Sequence, residues 1–244
     1  MIYTSKQNPI IKEINSLKEK KYRQKLGLYI AEGIKMVNEA IKFNLDIDKI
    51  VVTESAFSEI LPTTSPVLTV SQEVFNYLSC DTTPQGALVV LKIKNLGVEA
   101  PKGNALILDG VQDPGNMGTI IRTACALGYY DLYLINAVDP YSNKVVKASM
   151  SGIYFSRIYR CTLEECLNAL KGYKIVIADM DGESLDGYKI DKNFAIAVGN
   201  EGNGISEELK SKGDVVLKIP MQEKSESLNV AVAASIMMYS LKNK

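Results

Sequence analysis

The stretch ALILDGVQDPGNMGTIIRTACAL, residues 105–127, contains three different kinds of sequence in succession. Residues 105–108 are small or apolar and end at Asp109, as in a buried strand of a parallel sheet. A loop rich in glycine and proline follows, and from about Asn116 the apolar residues recur with helical spacing. This order of strand, loop and helix predicts an α/β fold.

The same alternation continues in both directions from this stretch. Downstream, strands are predicted at DLYLIN (131–136), KIVIADM (174–180), FAIAVGN (194–200) and DVVLKIPM (214–221), and helices near 142–150, near 163–170 and over 228–241. Upstream, a helix opens at Asn8 and Pro9, and short strands and helices alternate to about Ile93. The segment after it contains Gly97 and Pro101 and is typical of a linker. The sequence therefore predicts domains at 1–95 and 103–244, joined by residues 96–102.

Composition excludes several classes of site. The 244 residues include no histidine, which excludes a Ser-His-Asp triad, an imidazole base and a His-rich metal site. The four cysteines lack C-x-x-C spacing, so buried, reduced thiols are expected rather than a zinc ribbon. No run of about 18 apolar residues and no signal-peptide pattern is present, which predicts a soluble, cytoplasmic protein without a membrane partner.

Charge is distributed unevenly, although 28 basic and 28 acidic residues give no net charge. Residues 1–25 hold seven basic and two acidic side chains, a net charge of +5, so the remainder carries −5. Such a basic segment can bind a phosphate backbone, and a solvated helix face is the alternative interpretation. The candidate RNA contacts are Lys18, Lys20, Lys21, Arg23 and Lys25.

The loop and helix at 109–124 form the first candidate site. Backbone N–H groups at the start of a helix favour anions, and the guanidinium of Arg122 can bind a phosphate with two hydrogen bonds. A tight turn with Arg122 in a surface ion pair is the alternative.

The second and third candidate segments are Gly199–Ser206 and Ile219–Val230. The second has G-x-x-G-x-G spacing rather than a dinucleotide fingerprint, and its Glu201 suits a hydroxyl, an amine or a cation. The alternative is a turn at Asn-Gly in which Ser206 is the N-cap of the next helix. In the third, Ser227 has the position of a helix N-cap, and Asn229 would then fall within the first turn, where Asn is unfavourable. Beyond it, residues 237–239 are interpreted as core.

Together these segments resemble a known family. The ordered motifs D-P-G-N-M-G-x-x-x-R-T-A, G-N-E-G-x-G-I-S and I-P-M-x-x-x-x-x-S-L-N-V-x-V-A resemble the three signature motifs of the SpoU-type (TrmH-like) RNA ribose methyltransferases of the SPOUT superfamily. The resemblance implies a C-terminal α/β trefoil-knot methyltransferase domain with a small N-terminal α/β RNA-binding domain. It also implies a homodimer that uses S-adenosyl-L-methionine, without metal, to methylate a ribose 2′-hydroxyl, and it favours ribosomal RNA as the substrate.

The resemblance also assigns roles to individual residues. The implied cofactor contacts are Gly199, Asn200, Ile219, Met221, Ser227 and Leu228. The implied catalytic residues are Arg122, Asn116, Glu201 and Asn229. In this scheme Arg122 anchors a phosphate and stabilises the forming alkoxide, or acts as a base only after strong desolvation. Asn116 would orient Arg122 or the ribose, and Glu201 is the rival base.

Two positions depart from the family motifs. Glu223 stands where a glycine is usual, and Ala231 stands where a serine is frequent. Two alternatives therefore stay open beside a ribosomal RNA enzyme: a tRNA ribose methyltransferase, and a SpoU-like RNA-binding protein of weak catalytic activity. A dinucleotide-binding enzyme is disfavoured because the glycine fingerprint after the first strand is missing.

Overall fold

The computed structural model describes residues 1–94, 96–190, 192–222 and 227–242. The chain divides into two compact units. The first comprises Met1–Asn95 with Asp139–Tyr154, and the second comprises Leu96–Val138 with Phe155–Lys244.

The elements of the N-terminal part alternate irregularly between strand and helix. They are β1 (Ile2–Tyr3), α1 (Pro9–Ser16), α2 (Lys20–Leu26), β2 (Leu28–Glu32), α3 (Ile34–Lys42), β3 (Ile47–Thr53), a 3-10 turn (Phe57–Glu59), β4 (Val67–Val70), α4 (Gln72–Leu78) and β5 (Ala87–Lys92). The five strands form one sheet in the order β1-β4-β3-β5-β2. In this sheet β1, β4 and β3 run parallel, and β5 is antiparallel to both of its neighbours.

Helix α1 begins as the sequence predicts. The side chain of Asn8 accepts a hydrogen bond from the backbone N–H of Ile10 at 2.9 Å, and Pro9 occupies the first helical position. The apolar face of the helix buries Ile11 and Ile14 completely, within one core cluster that includes Phe75 of α4. This face therefore anchors the helix in the core of the first unit.

The remaining elements follow the predicted alternation, with additions. They are β6 (Ala105–Asp109), α5 (Pro114–Leu127), β7 (Asp131–Ile135), α6 (Asn143–Ser149), α7 (Gly152–Phe155), β8 (Arg157–Arg160), α8 (Leu163–Ala169), β9 (Lys174–Ser184), β10 (Phe194–Val198), α9 (Glu207–Lys210), β11 (Val215–Lys218) and α10 (Val230–Leu241). Strand β8 is not predicted from the sequence, because four residues with arginine at both ends give no apolar signal.

The second sheet is parallel throughout and has the order β11-β9-β10-β6-β7-β8. Its central strand β10 is fully buried, as expected for a parallel sheet covered on both faces. From β6 the chain proceeds outward to β7 and β8, and β10 lies on the other side of β6. The carboxyl ends of β6 and β10 therefore meet at a point where strand order reverses, the usual position of a ligand site.

Residues 139–154 belong to a different unit from the one that the sequence predicts. Their position in the chain places them in the second domain, but the structure groups them with the first unit. Long-range pairings explain this grouping: Asp139 accepts a hydrogen bond from Arg23 at 2.7 Å, and the hydroxyl of Tyr154 donates to the carbonyl of Met36 at 3.1 Å. Sequence periodicity carries no information about such partners.

Two further sequence expectations concern the membrane and the thiols. Within the described residues, no helix is both long and apolar enough to span a bilayer. All four cysteines are free; Cys166 is buried, Cys125 and Cys161 are half-buried, and Cys80 is exposed. The expectation of burial is therefore correct for Cys166 and wrong for Cys80.

Candidate active site

The loop after β10 folds back on itself because its first residue is glycine. The backbone groups of Asn200 and Gly204 exchange two hydrogen bonds, at 2.8 and 3.0 Å. A Cβ atom at Gly199 would lie 2.1 Å from the carbonyl carbon of Gly204, so no other residue fits this closed loop. The Asn200 side chain donates to the carbonyl of Gly110 at 2.8 Å and thereby joins this loop to the loop after β6.

Glu201 lies in this folded loop and binds the start of α5. Its Oε1 accepts hydrogen bonds from the backbone N–H of Asp113 at 3.1 Å and from Nδ2 of Asn116 at 3.0 Å. Its Oε2 accepts from the backbone N–H of Gln112 at 3.3 Å. Both carboxylate oxygens are therefore engaged by donors of the first motif.

These donors also set the acidity of Glu201. Partial burial by itself would raise the pKa of Glu201, but the hydrogen bonds from Asn116 and from nearby backbone N–H groups outweigh it and lower the pKa. A carboxylate with a lowered pKa is a weaker base. The geometry thus favours a structural role for Glu201 over proton abstraction.

Asn229 joins the third motif to the other two. Its Oδ1 accepts from the backbone N–H groups of Ala231 at 2.9 Å and Val232 at 3.3 Å, and its Nδ2 donates to Oδ1 of Asn116 at 2.9 Å. One chain of hydrogen bonds therefore runs from the N-terminus of α10 through Asn229 and Asn116 to Glu201.

The predicted N-cap at Ser227 is wrong, because the N-cap of α10 is Asn229. Asparagine caps at least as well as serine, since its side-chain oxygen reaches the same free N–H groups. Asn229 therefore stabilises the helix as well as contacting Asn116. The predicted Ser206 cap of α9 is confirmed.

A cleft of about 1030 Å³ opens beside this network, within the second unit. All six predicted cofactor residues line it: Gly199, Asn200, Ile219, Met221, Ser227 and Leu228. Glu201 and Asn229 also line it, whereas Asn116 and Arg122 do not. Glu223 lies outside the described residues, so its effect on the loop stays a prediction.

Many residues that line the cleft are absent from the predicted site residues, among them three of β9 and the last residue of β11. Asp179, Met180 and Asp181 lie in β9, and Lys218 ends β11. Their position after the buried part of a parallel strand is a signal that could have indicated them, because ligands bind at the carboxyl ends of such strands. Asp109, the last residue of β6, is also absent from the predicted site residues, and it does not line the cleft. Its side chain is buried and accepts a hydrogen bond from the backbone N–H of Ser206 at 2.9 Å.

Arg122 lies apart from this network. It is exposed on α5, and among the described residues no hydrogen bond or ion pair of its side chain is recorded. Asn116 contacts Glu201 and Asn229 instead of Arg122, since six residues of helix separate the two side chains by about 120° around the axis. The predicted orientation of Arg122 by Asn116 is therefore absent within this chain.

The basic N-terminal residues divide into three kinds. Lys20, Lys21 and Lys25 are exposed. Lys18 donates to the carbonyl groups of Tyr77 at 2.7 Å and Ser79 at 3.1 Å, so part of its hydrogen-bonding capacity is used within the fold.

Arg23 requires a correction, since only 3% of its surface is exposed. Its guanidinium makes two hydrogen bonds to Asp139, at 3.0 and 2.7 Å, and two to the carbonyl groups of Leu17 and Lys18. A buried guanidinium with these partners offers no cation to RNA, so its assignment as an RNA contact is wrong.

Over the described ranges, no cluster of three or more histidine, cysteine, aspartate or glutamate side chains has the arrangement of a metal site.

Comparison with known proteins places this geometry in context. Residues 103–239 match the SpoU rRNA Methylase family, and residues 8–89 match an MRM3-like substrate binding domain. The chain is 31% identical over 243 residues to the 23S rRNA (guanosine(2553)-2′-O)-methyltransferase RlmP of Bacillus subtilis, covering 98% of each protein.

Two solved structures extend the comparison. The AdoMet-bound rRNA methyltransferase from Sinorhizobium meliloti superposes with a TM-score of 0.87 at 28% identity, over 98% of this chain and 96% of the other. A structure described as addressing 2-OH methylation of C/U34 on tRNA has a TM-score of 0.52 at 29% identity, and covers 59% of this chain and 94% of its own.

Proposed function

Because the chain belongs to the SpoU rRNA methylase family, we propose that its second unit transfers a methyl group from S-adenosylmethionine to a ribose 2′-hydroxyl of ribosomal RNA. The observation that carries this proposal is the hydrogen-bond chain from Glu201 through Asn116 to Asn229. It joins the three motif segments at one edge of the cleft.

The lining of the cleft fits the cofactor. Ile219, Met221 and Leu228 offer apolar surface to a planar base, and the backbone beside Gly199 offers polar groups. Carboxylates also line the cleft and suit a cationic ligand. When bound, S-adenosylmethionine supplies a methyl group on a sulfonium, which is a good leaving group.

The protein's own contribution is alignment and electrostatic stabilisation. Glu201 binds the start of α5, and Asn229 caps the start of α10 and binds Asn116, so these hydrogen bonds position the two helix starts relative to each other beside the cleft. Arg122 carries the remaining task, because its exposed guanidinium can anchor a phosphate and stabilise the forming alkoxide. Glu201 acts as a positioning residue, because both of its oxygens are engaged.

A second copy of the chain would bring Arg122 to a cleft. Arg122 lies on an exposed stripe of α5 with the small residues Gly115, Thr119 and Ala126, which allow another helix to approach closely. On α10, Tyr239 is 71% exposed and Val232 is 46% exposed. The prediction that Tyr239 belongs to the core is therefore wrong. These apolar side chains support a homodimer in which Arg122 serves the partner's cleft.

The dimer has a direct test. Glutamate at both Val232 and Tyr239 should give a monomer in light scattering and abolish methyl transfer, because charges oppose burial of this face. The control is glutamate at Tyr130, an exposed apolar residue of the second unit that does not line the cleft, and it should leave the dimer intact. If the wild-type protein is monomeric at micromolar concentration, the proposed homodimer is wrong.

The cleft also supports a trefoil knot. Segments from β9, from the loop after β10 and from the chain after β11 line one cleft, as they would if the C-terminal segment passed through a loop of the preceding chain. Ribosomal RNA as substrate supports a location in the cytoplasm.

For the substrate, 23S rRNA has the stronger support. The similarity to RlmP extends over the whole chain, whereas the similarity to the tRNA-directed structure covers 59% of it. The N-terminal unit would then bind ribosomal RNA, in agreement with the match of residues 8–89.

The test uses purified protein, tritiated S-adenosylmethionine and either 23S rRNA or bulk tRNA. Label should enter the ribosomal RNA and resist alkaline cleavage, because a 2′-O-methyl group blocks the adjacent phosphodiester. Label released by alkali as mononucleotides would indicate base methylation and contradict the proposal. Cofactor binding without transfer to any RNA would instead indicate the catalytically weak protein.

A further inference from the structure

The charged side chains that line the cleft are mostly acidic. Among the described residues that line it there are three carboxylates, those of Asp179, Asp181 and Glu201, and one ammonium, that of Lys218. Two of the carboxylates already have partners. Asp179 pairs with Lys210 at 2.8 Å, and Glu201 accepts the three hydrogen bonds described above.

Asp181 differs from the other two carboxylates. Its side chain is exposed to the cleft, and over the part of the chain that the structure describes it has no recorded hydrogen-bond or ion-pair partner. The charge of Lys210 acts on it only at longer range. The carboxylate of Asp181 is therefore available to a ligand.

The backbone around Asp181 is held in place on both sides. Its own N–H donates to Oδ1 of Asp179 at 3.1 Å. The next residue, Gly182, lies so close to β11 that a Cβ atom there would be 2.5 Å from the carbonyl oxygen of Val216. The backbone of this segment is thus packed against β11, so the position from which the carboxylate of Asp181 reaches the cleft is fixed.

A fixed negative charge distinguishes the two forms of the cofactor. S-adenosylmethionine carries a sulfonium, an ammonium and a carboxylate, with a net charge of +1. After the methyl carbon leaves sulfur for the ribose oxygen and the hydroxyl proton passes to solvent, S-adenosylhomocysteine is a neutral thioether with no net charge. The two molecules are otherwise the same.

We propose that Asp181 is a specificity-determining residue that favours the sulfonium cofactor over its thioether product. This inference rests on the cofactor of the proposed reaction and is independent of which RNA is methylated. Substrate retention and product release would both benefit, because the attraction disappears with the charge.

The test is calorimetric titration of S-adenosylmethionine, S-adenosylhomocysteine and sinefungin, whose amine replaces the sulfonium with another cation. In Asp181→Asn we expect the Kd of both cationic ligands to rise about three- to tenfold, because one unit of negative charge is removed from a solvated cleft. The Kd of S-adenosylhomocysteine should change less than twofold. Added salt should reduce the preference in the wild type more than in the variant.

Asp186→Asn is the matched control, because Asp186 is an exposed carboxylate of the same segment that does not line the cleft. It should leave all three affinities unchanged. Equal weakening of all three ligands by Asp181→Asn would indicate a contact to their shared ribose and overturn the inference. An unchanged ratio of the Kd for S-adenosylmethionine to the Kd for S-adenosylhomocysteine would also overturn the inference. Methyl transfer by either variant would leave the proposed function standing.

Discussion

At the scale of single residues, Arg122 and Glu201 are the two charged groups between which the sequence divides the catalytic role. Glu201 is engaged by Gln112, Asp113 and Asn116, and its pKa is lowered. Arg122 is exposed on α5. The structure therefore favours Glu201 for positioning and leaves Arg122 for contact with the substrate.

Arg122→Ala should abolish methyl transfer while cofactor affinity stays nearly unchanged. Loss of one group that stabilises a developing oxyanion costs about 10²–10³-fold in rate. Incorporation of tritiated methyl measures the first quantity and calorimetry the second. Lys212→Ala, which removes another exposed cation of the second unit, is the control. Wild-type incorporation by Arg122→Ala would exclude the assigned role.

Glu201→Gln should lower stability in a pH-dependent way. The pKa of Glu201 is lowered in the folded protein from its ordinary value of 4.5, so its hydrogen bonds stabilise the fold above pH 4.5. This contribution is lost as the pH falls through the lowered pKa. Thermal unfolding of both proteins should differ at pH 7 and converge below pH 4.5. A difference that does not vary with pH would show that the charge of Glu201 contributes nothing.

At the scale of elements, the N-terminus of α10 combines a structural and a functional contact in one side chain. Asn229 caps the helix with its oxygen and binds Asn116 with its nitrogen. From the sequence, the cap is expected at Ser227 and Asn229 is expected to serve the site alone, because Asn is unfavourable within a first turn. The structure shows that one amide makes both contacts, because it carries an acceptor and a donor.

Two substitutions separate these contacts. Asn229→Ala should lose the cap, about 1 kcal/mol of stability, as well as methyl transfer. Asn229→Asp retains a capping oxygen but faces the oxygen of Asn116 with a second acceptor, so stability should stay near wild type while transfer falls. Chemical denaturation and methyl incorporation measure the two effects. Full activity in Asn229→Asp would show that the contact to Asn116 is dispensable.

At the scale of the whole molecule, the chain is not divided at its linker alone. Residues 139–154 lie between two strands of the second sheet in sequence, and yet they are part of the first unit. The buried pair between Arg23 and Asp139 accounts for much of this arrangement. A residue from the basic N-terminal segment is thus used for folding rather than for RNA.

Arg23→Ala should destabilise the first unit by about 3–5 kcal/mol, because it removes the guanidinium that makes a buried ion pair with the carboxylate of Asp139. Denaturation with urea measures this loss. Lys21→Ala is the matched control: its pair with Glu19 is exposed to solvent, and an exposed pair contributes little to stability. Equal stability of the two variants would mean that the buried pair contributes little.

The exposed lysines are expected to act on RNA binding alone. Reversing Lys20, Lys21 and Lys25 to glutamate should weaken RNA binding and reduce the slope of log affinity against log salt by about 2–3, since each phosphate contact contributes about 0.7–0.9. Reversing Lys171, Lys189 and Lys212, three exposed lysines of the second unit, changes the net charge equally and is the control. Identical salt slopes for the two triple variants would exclude the N-terminal segment as an RNA contact.

The sequence by itself determined the strand and helix order of the second unit except β8, the caps at Asn8 and Ser206, and the six candidate cofactor residues that line the cleft. These features depend on local periodicity and on motifs whose spacing is visible in the chain. The predictions were wrong, or no prediction was made, where the interacting residues are distant from each other in the sequence. Arg23 reads as a surface cation until Asp139 is seen beside it, and Asp181 has no motif.

Only the tertiary structure decided which polar groups are engaged. The sequence names Glu201, Asn116 and Asn229, but their hydrogen bonds span 85 and 113 positions of the chain. The chemistry of a carboxylate or an amide depends on what occupies its donors and acceptors, and that is set by folding rather than by residue type.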